Sequence, residues 1–222
     1  MCVAIWNRPN KTLSKETLKL CQDSNPDGMG LLVAVDKKFV VHKSLKNFDW
    51  FYGEYKALRE KYPEKPIVLH FRMATHGGVS ENMCHPFIAG DVGFVHNGVI
   101  SGMGTEPLKS DTCLFSENIL AGLPKGWMDN EFIVHMIAEF IGTNNKLILM
   151  NKKGQCIIVN EHMGEEDADG NWFSNGYWKY HRVSYDYSYG YAERTSQWVL
   201  NNGVYVHKDT VDKPNIPYRS WD

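Results

Sequence analysis

The chain has 222 residues, of which 43% are hydrophobic and 23% charged, a mixture typical of a globular protein of ordinary domain size. Its 24 basic and 26 acidic residues give a net charge of −2, so the chain lacks the excess of positive charge that is typical of a nucleic-acid-binding protein. No apolar run approaches the roughly 18 residues of a membrane-spanning helix, and the first residues do not form a signal peptide. We therefore expect a cytoplasmic protein with neither nucleic-acid nor membrane partners.

The five cysteines are odd in number, widely scattered, and form no C-x-x-C pair. This pattern gives no support to a zinc ribbon or a thioredoxin-type redox site and suits a reducing compartment. The sequence also lacks GKS/GKT, HExxH and GxSxG motifs. We expect neither a metal nor another cofactor.

Hydrophobic periodicity and turn signals predict alternating strands and helices. In chain order, the predicted elements are a strand at Met1–Trp6, a helix at Leu13–Asp23 capped by Thr12 or Ser14, strands at Met29–Val35 and Phe39–His42, a helix at Asn47–Tyr62, a strand at Ile67–Met73, a loop at Thr75–Phe87, a strand at Val92–His96, helices at Ser110–Leu120 and Asn130–Ile141, and strands at Lys146–Met150 and Gln155–Asn160. Strands, then helices, then strands again predict an α+β fold with helices packed on sheets. We expect one domain over residues 1–222, with a less regular, aromatic-rich part at 161–222.

Cys2 directly follows the initiator Met1. A cysteine reacts as its thiolate and needs a base. If Met1 is removed, the free α-amine of Cys2, with a pKa of about 8, is such a base. The alternative is an inert cysteine buried in the first strand.

Arg72 ends an apolar strand, in the segment His70–Gly78. A cation there is either half of a structural ion pair or a planar fork that holds a carboxylate by two hydrogen bonds. Thr75 and His76 add hydrogen-bond donors at the same loop entrance.

Asn97 and Gly98 lie between apolar residues, which is a strong signal for a tight hairpin turn. The same pair offers an alternative use. A side-chain amide and an adjacent glycine N–H form two convergent donors for an oxyanion.

Asp111 follows Ser110 at the start of a predicted helix. An acidic residue there is stabilised by the helix dipole whatever its function. It is also a suitable partner for an ammonium group.

Together and in this order, these segments resemble the class II glutamine amidotransferases, a branch of the N-terminal nucleophile hydrolases. The resemblance rests on Cys2, HFRMATHGG at 70–78, ENMCHPF at 81–87, VHNG at 95–98 and SDT at 110–112, and more loosely on NPDGMG at 25–30 and NWFSN at 171–175. It implies a four-layer α/β/β/α sandwich of two antiparallel sheets.

The resemblance also implies roles for individual residues. Cys2 would attack the side-chain amide of L-glutamine to form a γ-glutamyl thioester, which water hydrolyses to glutamate. Asn97 and the N–H of Gly98 would hold the oxyanion. The substrate-binding residues would be Arg72, Thr75 and His76 for the α-carboxylate and Asp111 for the α-ammonium.

Two departures from the family pattern are Val3, where many members have glycine, and Met73, where a tryptophan is common. The chain has no room for a synthase domain. The resemblance therefore implies a stand-alone glutaminase, a subunit that serves a separate synthase or acceptor protein, or a hydrolase of another γ-glutamyl compound. A hypothesis of a different class is a binding or regulatory module with idle chemistry.

Overall fold

The computed structural model describes residues 2–74, 78–104, 106, 108–182, 198–201 and 204–207. Within these ranges the α-helices are α1 (Lys15–Ser24), α2 (Phe48–Lys61), α3 (Asp111–Asn118) and α4 (Glu131–Ile141). The strands are β1 (Val3–Asn7), β2 (Met29–Val35), β3 (Lys38–Ser44), β4 (Ile67–Phe71), β5 (Phe87–Ala89), β6 (Val92–Asn97), β7 (Lys146–Asn151), β8 (Cys156–Val159), β9 (Glu165–Glu166), β10 (Trp172–Phe173), β11 (Trp198–Asn201) and β12 (Val204–His207). Every strand and helix predicted from periodicity is found, with ends that differ by a few residues.

Each α-helix begins at a residue whose side-chain oxygen accepts a hydrogen bond from a backbone N–H of the first turn. The capping residues are Ser14, Asn47, Ser110 and Asn130. Such caps satisfy donors that the helix itself leaves open. Of the two candidate caps for α1, the structure therefore selects Ser14.

The helix predicted to run to Leu120 is wrong at its end. Helix α3 stops at Asn118, and Leu120 belongs to a short 3₁₀ turn at Leu120–Gly122. Pro124 explains the end of this short turn, because the residue before a proline is biased away from helical geometry. Leu123 accordingly has extended backbone angles of −73° and 148°.

The first sheet has six antiparallel strands in the order β3-β2-β4-β1-β10-β9. Its first strand, β1, lies between β4 and β10, with Val3 opposite Phe71 and Ile5 opposite Phe173. The segment NWFSN at 171–175 contains β10. One of the two strands that pair with β1 therefore begins about 170 positions later in the sequence.

The second sheet has four antiparallel strands in the order β5-β6-β7-β8. The prediction of an irregular loop throughout Thr75–Phe87 is partly wrong, because Glu81–Met83 forms a 3₁₀ turn and Phe87 begins β5. Phe87 lies opposite Phe94, so a partner strand supplies the order that local composition does not indicate. Strands β11 and β12 form a separate antiparallel pair.

Three hydrophobic clusters show how these elements stack. The first cluster joins α1 and α2 to one face of the first sheet, and the second joins α3 and α4 to one face of the second sheet. The third lies between the two sheets, where Ala4, Leu32 and Val68 meet Val95 and Ile148. Alternate residues of each central strand face opposite clusters, as strand geometry requires. The expected four-layer α/β/β/α sandwich is confirmed.

Across the described residues, no helix combines the length and the apolar character needed to cross a membrane.

Candidate active site

Cys2 lies immediately before β1 and is half-buried. Its Sγ is 3.3 Å from the backbone nitrogen of Met73, which donates to it, and 3.4 Å from the carbonyl oxygen of the same residue. The contact follows from strand pairing, because Val3 lies opposite Phe71 on β4 and the two segments of the chain leave the sheet side by side. A thiol thus faces the segment that carries Arg72.

Burial raises the pKa of the Cys2 thiol above its ordinary value. The hydrogen bond from the Met73 N–H and the positive charge of Arg72 act in the opposite direction, but burial is the largest of these effects. The thiol is therefore mainly protonated near neutral pH. A nucleophile at this position needs a base to remove its proton.

Arg72 directly follows β4, and only 4% of its surface is exposed. Its Nη1 donates to the carbonyl oxygen of Gly78 at 2.7 Å, and its backbone N–H donates to the carbonyl oxygen of Gly28 at 2.7 Å. Burial raises the pKa of the nearby Asp27, and the positive charge of the guanidinium opposes part of that rise. The structural and the substrate-binding interpretations of Arg72 are therefore compatible in this geometry.

Asp27 belongs to the segment NPDGMG at 25–30, and the sequence alone assigns it no role of its own. Its Oδ2 accepts a 2.8 Å hydrogen bond from the backbone N–H of Ala74, and its own N–H donates to the carbonyl of Arg72 at 2.9 Å. Burial raises the pKa of Asp27, while the Ala74 hydrogen bond and Arg72 oppose that shift. Asp27 thus fixes the start of the segment that contains Thr75 and His76, two predicted substrate-binding residues that lie outside the described residues.

Asn97 is the last residue of β6, and 2% of its surface is exposed. The alternative of a tight hairpin turn at Asn97–Gly98 is wrong, because β6 pairs with β5 and β7 and neither follows Gly98 directly. Instead, Nδ2 of Asn97 donates to Oγ of Ser174 at 2.7 Å. The amide therefore reaches from the second sheet to the chain segment beside β1.

Gly98 has a φ of +146°, which L side chains rarely adopt. A Cβ at this position would lie 2.1 Å from Oδ1 and 3.0 Å from Cα of Asn145. Oδ1 of Asn145 accepts a 2.9 Å hydrogen bond from Nε2 of His96, and Nδ1 of His96 consequently accepts from the Thr112 hydroxyl at 2.7 Å. The absence of a side chain at Gly98 is thus required by both backbone conformation and close packing.

Three buried histidines lie behind this region. His70 donates from Nε2 to the carbonyl of His96 at 2.9 Å, and the rings of His70 and His85 have centroids 4.0 Å apart. Burial lowers the pKa of all three, that of His70 to about 3. They are therefore neutral at physiological pH and do not supply positive charge to a bound anion.

Asp111 is the first residue of α3, as predicted. Its Oδ2 accepts a 2.6 Å hydrogen bond from the backbone N–H of Ile100. The carboxylate therefore holds the segment that follows Gly98 and keeps a second oxygen for another partner. The two interpretations made from the sequence, a helix-start residue and an ammonium partner, both fit this position.

Ser174 and Asn175 follow β10, and their contacts were not foreseen from the sequence. Oγ of Ser174 accepts from the backbone N–H of Ala4 at 2.9 Å as well as from Asn97, and Nδ2 of Asn175 donates to the carbonyl of Cys2 at 2.8 Å. The available signal was a short apolar strand flanked by asparagine and serine. Buried polar groups in such positions need hydrogen-bond partners.

These contacts tie the candidate residues to neighbouring segments of the fold. Cys2 contacts the residue after Arg72, Asn97 reaches β1 through Ser174, and Asp111 holds the segment after Gly98. In the ranges that the structure describes, no three histidine, cysteine or acidic side chains are grouped as metal ligands would be. The candidate groups are a thiol, a carboxamide, a guanidinium and a carboxylate.

No family model matches the chain. The chain is similar to the glutamine–fructose-6-phosphate aminotransferase (isomerizing) of Haemophilus influenzae, with 34% identity over 108 residues, which cover 46% of the chain and 16% of that relative. The corresponding protein of Caulobacter vibrioides is 30% identical over 138 residues, or 51% of the chain and 23% of the relative. The chain thus matches less than a quarter of the length of these relatives. They confirm the resemblance that the motifs indicated.

Two solved structures are also similar. The glutamine phosphoribosylpyrophosphate amidotransferase of B. subtilis aligns with 78% of the chain and 40% of its own, at 16% identity and a TM-score of 0.47. A glutamine aminotransferase class-II domain protein from Silicibacter pomeroyi aligns with 78% of the chain and 87% of its own, at 13% identity and a TM-score of 0.42.

Proposed function

Because the chain is related to the class II glutamine amidotransferases, we propose that it hydrolyses the side-chain amide of L-glutamine and provides the ammonia to an acceptor. The observation that carries the proposal is the position of the Cys2 thiol, 3.3 Å from the backbone nitrogen of Met73 and next to the segment of Arg72. This position, together with the bond from Asn97 to Ser174 beside β1, supports a site in which Cys2 is the nucleophile, Arg72 the anion-binding cation and Asn97 the amide donor.

The raised pKa of Cys2 makes a base necessary, and the α-amine of Cys2 is the base that the same residue supplies once Met1 has been removed. The amine takes the thiol proton as Sγ bonds to the amide carbon of glutamine. It then gives that proton to the departing ammonia. Water hydrolyses the resulting γ-glutamyl thioester to glutamate.

The oxyanion that forms during both steps requires donors that are already oriented. Nδ2 of Asn97 carries two hydrogens, of which Ser174 accepts one. The other hydrogen and the N–H of Gly98 would bind the oxyanion. Arg72, with Thr75 and His76, would bind the α-carboxylate, and the second oxygen of Asp111 would bind the α-ammonium.

The decisive test replaces Cys2 with alanine and measures ammonia release from L-glutamine. We expect Cys2→Ala to lower kcat by about 10³-fold or more, because the nucleophile is lost. Cys156→Ala is the matched control, since Cys156 is also a half-buried free cysteine but lies on β8. A γ-glutamyl adduct trapped at Cys2 and seen by peptide mass spectrometry would support the thioester, whereas full activity of Cys2→Ala would overturn the proposal.

A second candidate is hydrolysis of a larger γ-glutamyl amide at the same site. Met73, where a tryptophan is common in the family, favours it, because its side chain is 38% exposed beside the thiol. A flexible methionine accommodates varied shapes better than a flat indole. Parallel assays with L-glutamine and a bulkier γ-glutamyl amide separate the two candidates by their kcat/KM.

The ammonia acceptor is proposed to be a separate synthase or its substrate. Binding of this acceptor would order the loops beside the site and so complete it, as loop closure does in many enzymes. We expect slow hydrolysis of glutamine by the isolated chain and stimulation of about tenfold or more by cell extract. Rapid hydrolysis that extract leaves unchanged would contradict this part of the proposal.

A further inference from the structure

Ser174 is a fully buried serine directly after β10, with 0% of its surface exposed. Its backbone N–H donates to the carbonyl of Ala4 at 2.9 Å, and its Oγ accepts from the N–H of Ala4 at 2.9 Å. The hydroxyl is thereby fixed to β1, two residues after Cys2. It has little freedom to move relative to the nucleophile.

The same oxygen accepts the 2.7 Å hydrogen bond from Nδ2 of Asn97. Asn97 ends β6 in the second sheet, whereas β1 and β10 belong to the first. One buried hydroxyl therefore connects the amide on one sheet to the nucleophile strand on the other. Within the described residues, this contact links the second sheet to the first through Ser174. The proposed reaction needs Asn97 and Cys2 close to each other, and the contact connects Asn97 to the strand that follows Cys2.

A carboxamide rotates easily about its last side-chain torsion, because that rotation has broad minima. A hydrogen bond from one of its two N–H groups to a fixed acceptor removes this freedom. Since both hydrogens lie in the amide plane, fixing the first also sets the direction of the second. Preorganised donors of this kind account for much of the stabilisation of a developing oxyanion.

We propose that Ser174 is a positioning residue that holds the Asn97 carboxamide in the orientation needed to bind the oxyanion. The inference rests on the proposed function, in which the second Nδ2 hydrogen of Asn97 binds the oxyanion. Ser174 itself does not touch the substrate. Its effect on the reaction passes through Asn97.

The kinetic test compares Ser174→Ala in two backgrounds, the natural sequence and Asn97→Ala, with L-glutamine as substrate. In the natural background we expect kcat to fall by about 10- to 100-fold while KM changes less than about twofold, as for an interaction made in the transition state. In the Asn97→Ala background we expect Ser174→Ala to cause almost no further loss. Equal losses in both backgrounds, or an effect on KM alone, would overturn the proposal.

Ser116→Ala is the matched control, because Ser116 is a buried serine within α3. It should leave kcat and the coupling to Asn97→Ala unchanged. Alkylation of Cys2 by iodoacetamide should proceed at a similar rate in Ser174→Ala and in the natural protein. This result would show that the nucleophile remains intact.

A second measurement does not depend on turnover or on the folding of a variant. In the natural protein labelled with ¹⁵N-asparagine, we expect one side-chain N–H of Asn97 to exchange slowly with solvent and the other to exchange faster. Rapid exchange of both hydrogens would refute the positioning role even if glutamine is hydrolysed. Conversely, a protected Asn97 amide in a protein that does not hydrolyse glutamine would place the failure in the proposed function.

Discussion

The carbonyl oxygen of Cys2 accepts a 2.8 Å hydrogen bond from Nδ2 of Asn175, a residue 173 positions later in the chain. This bond and the β-sheet pairing of Val3 with Phe71 fix the backbone that directly follows the Cys2 side chain. The thiol is therefore held in place by residues that lie far apart in the sequence. Its position depends on the completed first sheet.

Asn175→Ala should remove this restraint and lower kcat by roughly an order of magnitude, because misplacement of a nucleophile weakens catalysis strongly. The loss of stability should be only about 1 kcal/mol, the net contribution of a typical hydrogen bond. Asn130→Ala provides the control, since it removes the cap of α4 at a similar cost in stability. Steady-state kinetics and urea denaturation of both variants check the prediction. If Asn130→Ala lowers kcat as much as Asn175→Ala does, the effect reflects stability alone.

Asp111→Asn tests whether the carboxylate recognises an ammonium group. Asparagine retains an acceptor for the N–H of Ile100 but loses the negative charge. We expect KM for glutamine to rise about tenfold or more, the scale of a lost charge-assisted hydrogen bond, with a smaller change in kcat. Unchanged KM would leave Asp111 with its helix-start and loop-holding role only.

Gly98→Ala combines a strained backbone with a direct collision against Asn145. Gly102→Ala is the matched control, because Gly102 also has a positive φ, +80°, but its Cβ would have no neighbour within 4 Å in the part of the chain that the structure describes. Backbone strain alone should cost each variant about 1–3 kcal/mol. We expect Gly98→Ala to lose clearly more free energy of unfolding than Gly102→Ala in urea denaturation. Similar losses would mean that the contact with Asn145 relaxes without cost.

The buried histidines predict how stability depends on pH. Their pKa values are lowered in the folded state, that of His70 to about 3, so they take up protons only after unfolding. Above pH ~6.5, the ordinary pKa of histidine, these groups do not reduce the free energy of unfolding. As the pH falls below that value, the free energy of unfolding decreases by up to ~1.4 kcal/mol per pH unit for each histidine, because the unfolded state binds the protons. Urea denaturation between pH 7 and 5.5 measures this slope before most carboxyl groups titrate.

Two histidine variants control this measurement. His85→Leu should reduce the slope, since it removes one of the three buried groups, and both ring nitrogens of His85 are buried without a hydrogen-bond partner among the residues that the structure describes. His135→Gln should leave the slope unchanged, because His135 is largely exposed on α4. A natural protein equally stable at pH 7 and 5.5 would contradict the assignment of three neutral histidines.

The α-amine of Cys2 can act as the base only when it is free and neutral. We therefore expect intact-mass measurement of active protein to show a chain that begins at Cys2. Activity should increase with pH through the pKa of the amine, near ~8. Protein that retains Met1 should be inactive, so comparison of trimmed and untrimmed preparations at equal concentration checks the prediction. Equal activity in both would exclude the amine as base.

The sequence contains enough local information to locate most helices and strands. Asn47, for example, precedes the apolar spacing of α2, and both the cap and the helix occur where that pattern predicts them. Strand β5 was missed because its order comes from pairing with β6, which no local pattern reveals. Periodicity therefore predicts elements better than it predicts their partners.

The candidate site shows the same division. Residue type and order indicate Cys2 and Asn97, whereas only the structure shows that Asn175 bonds to Cys2 and that Ser174 bonds to Asn97 and Ala4. The contacts over about 170 positions depend on the pairing of β1 with β10, and the contact of Asn97 with Ser174 depends on how the two sheets stack. Residue spacing alone encodes neither arrangement. The hairpin alternative at Asn97–Gly98 could likewise be rejected only once the partners of β6 were known.

The position of β1 between β4 and β10 has a consequence for protein synthesis. The ribosome makes Cys2 about 170 residues before β10, the strand that pairs with one side of β1. A nascent chain that ends before Asn175 would carry the Cys2 thiol beside an unfilled strand position. The order of synthesis thus delays assembly of the candidate site until nearly the whole sandwich is available.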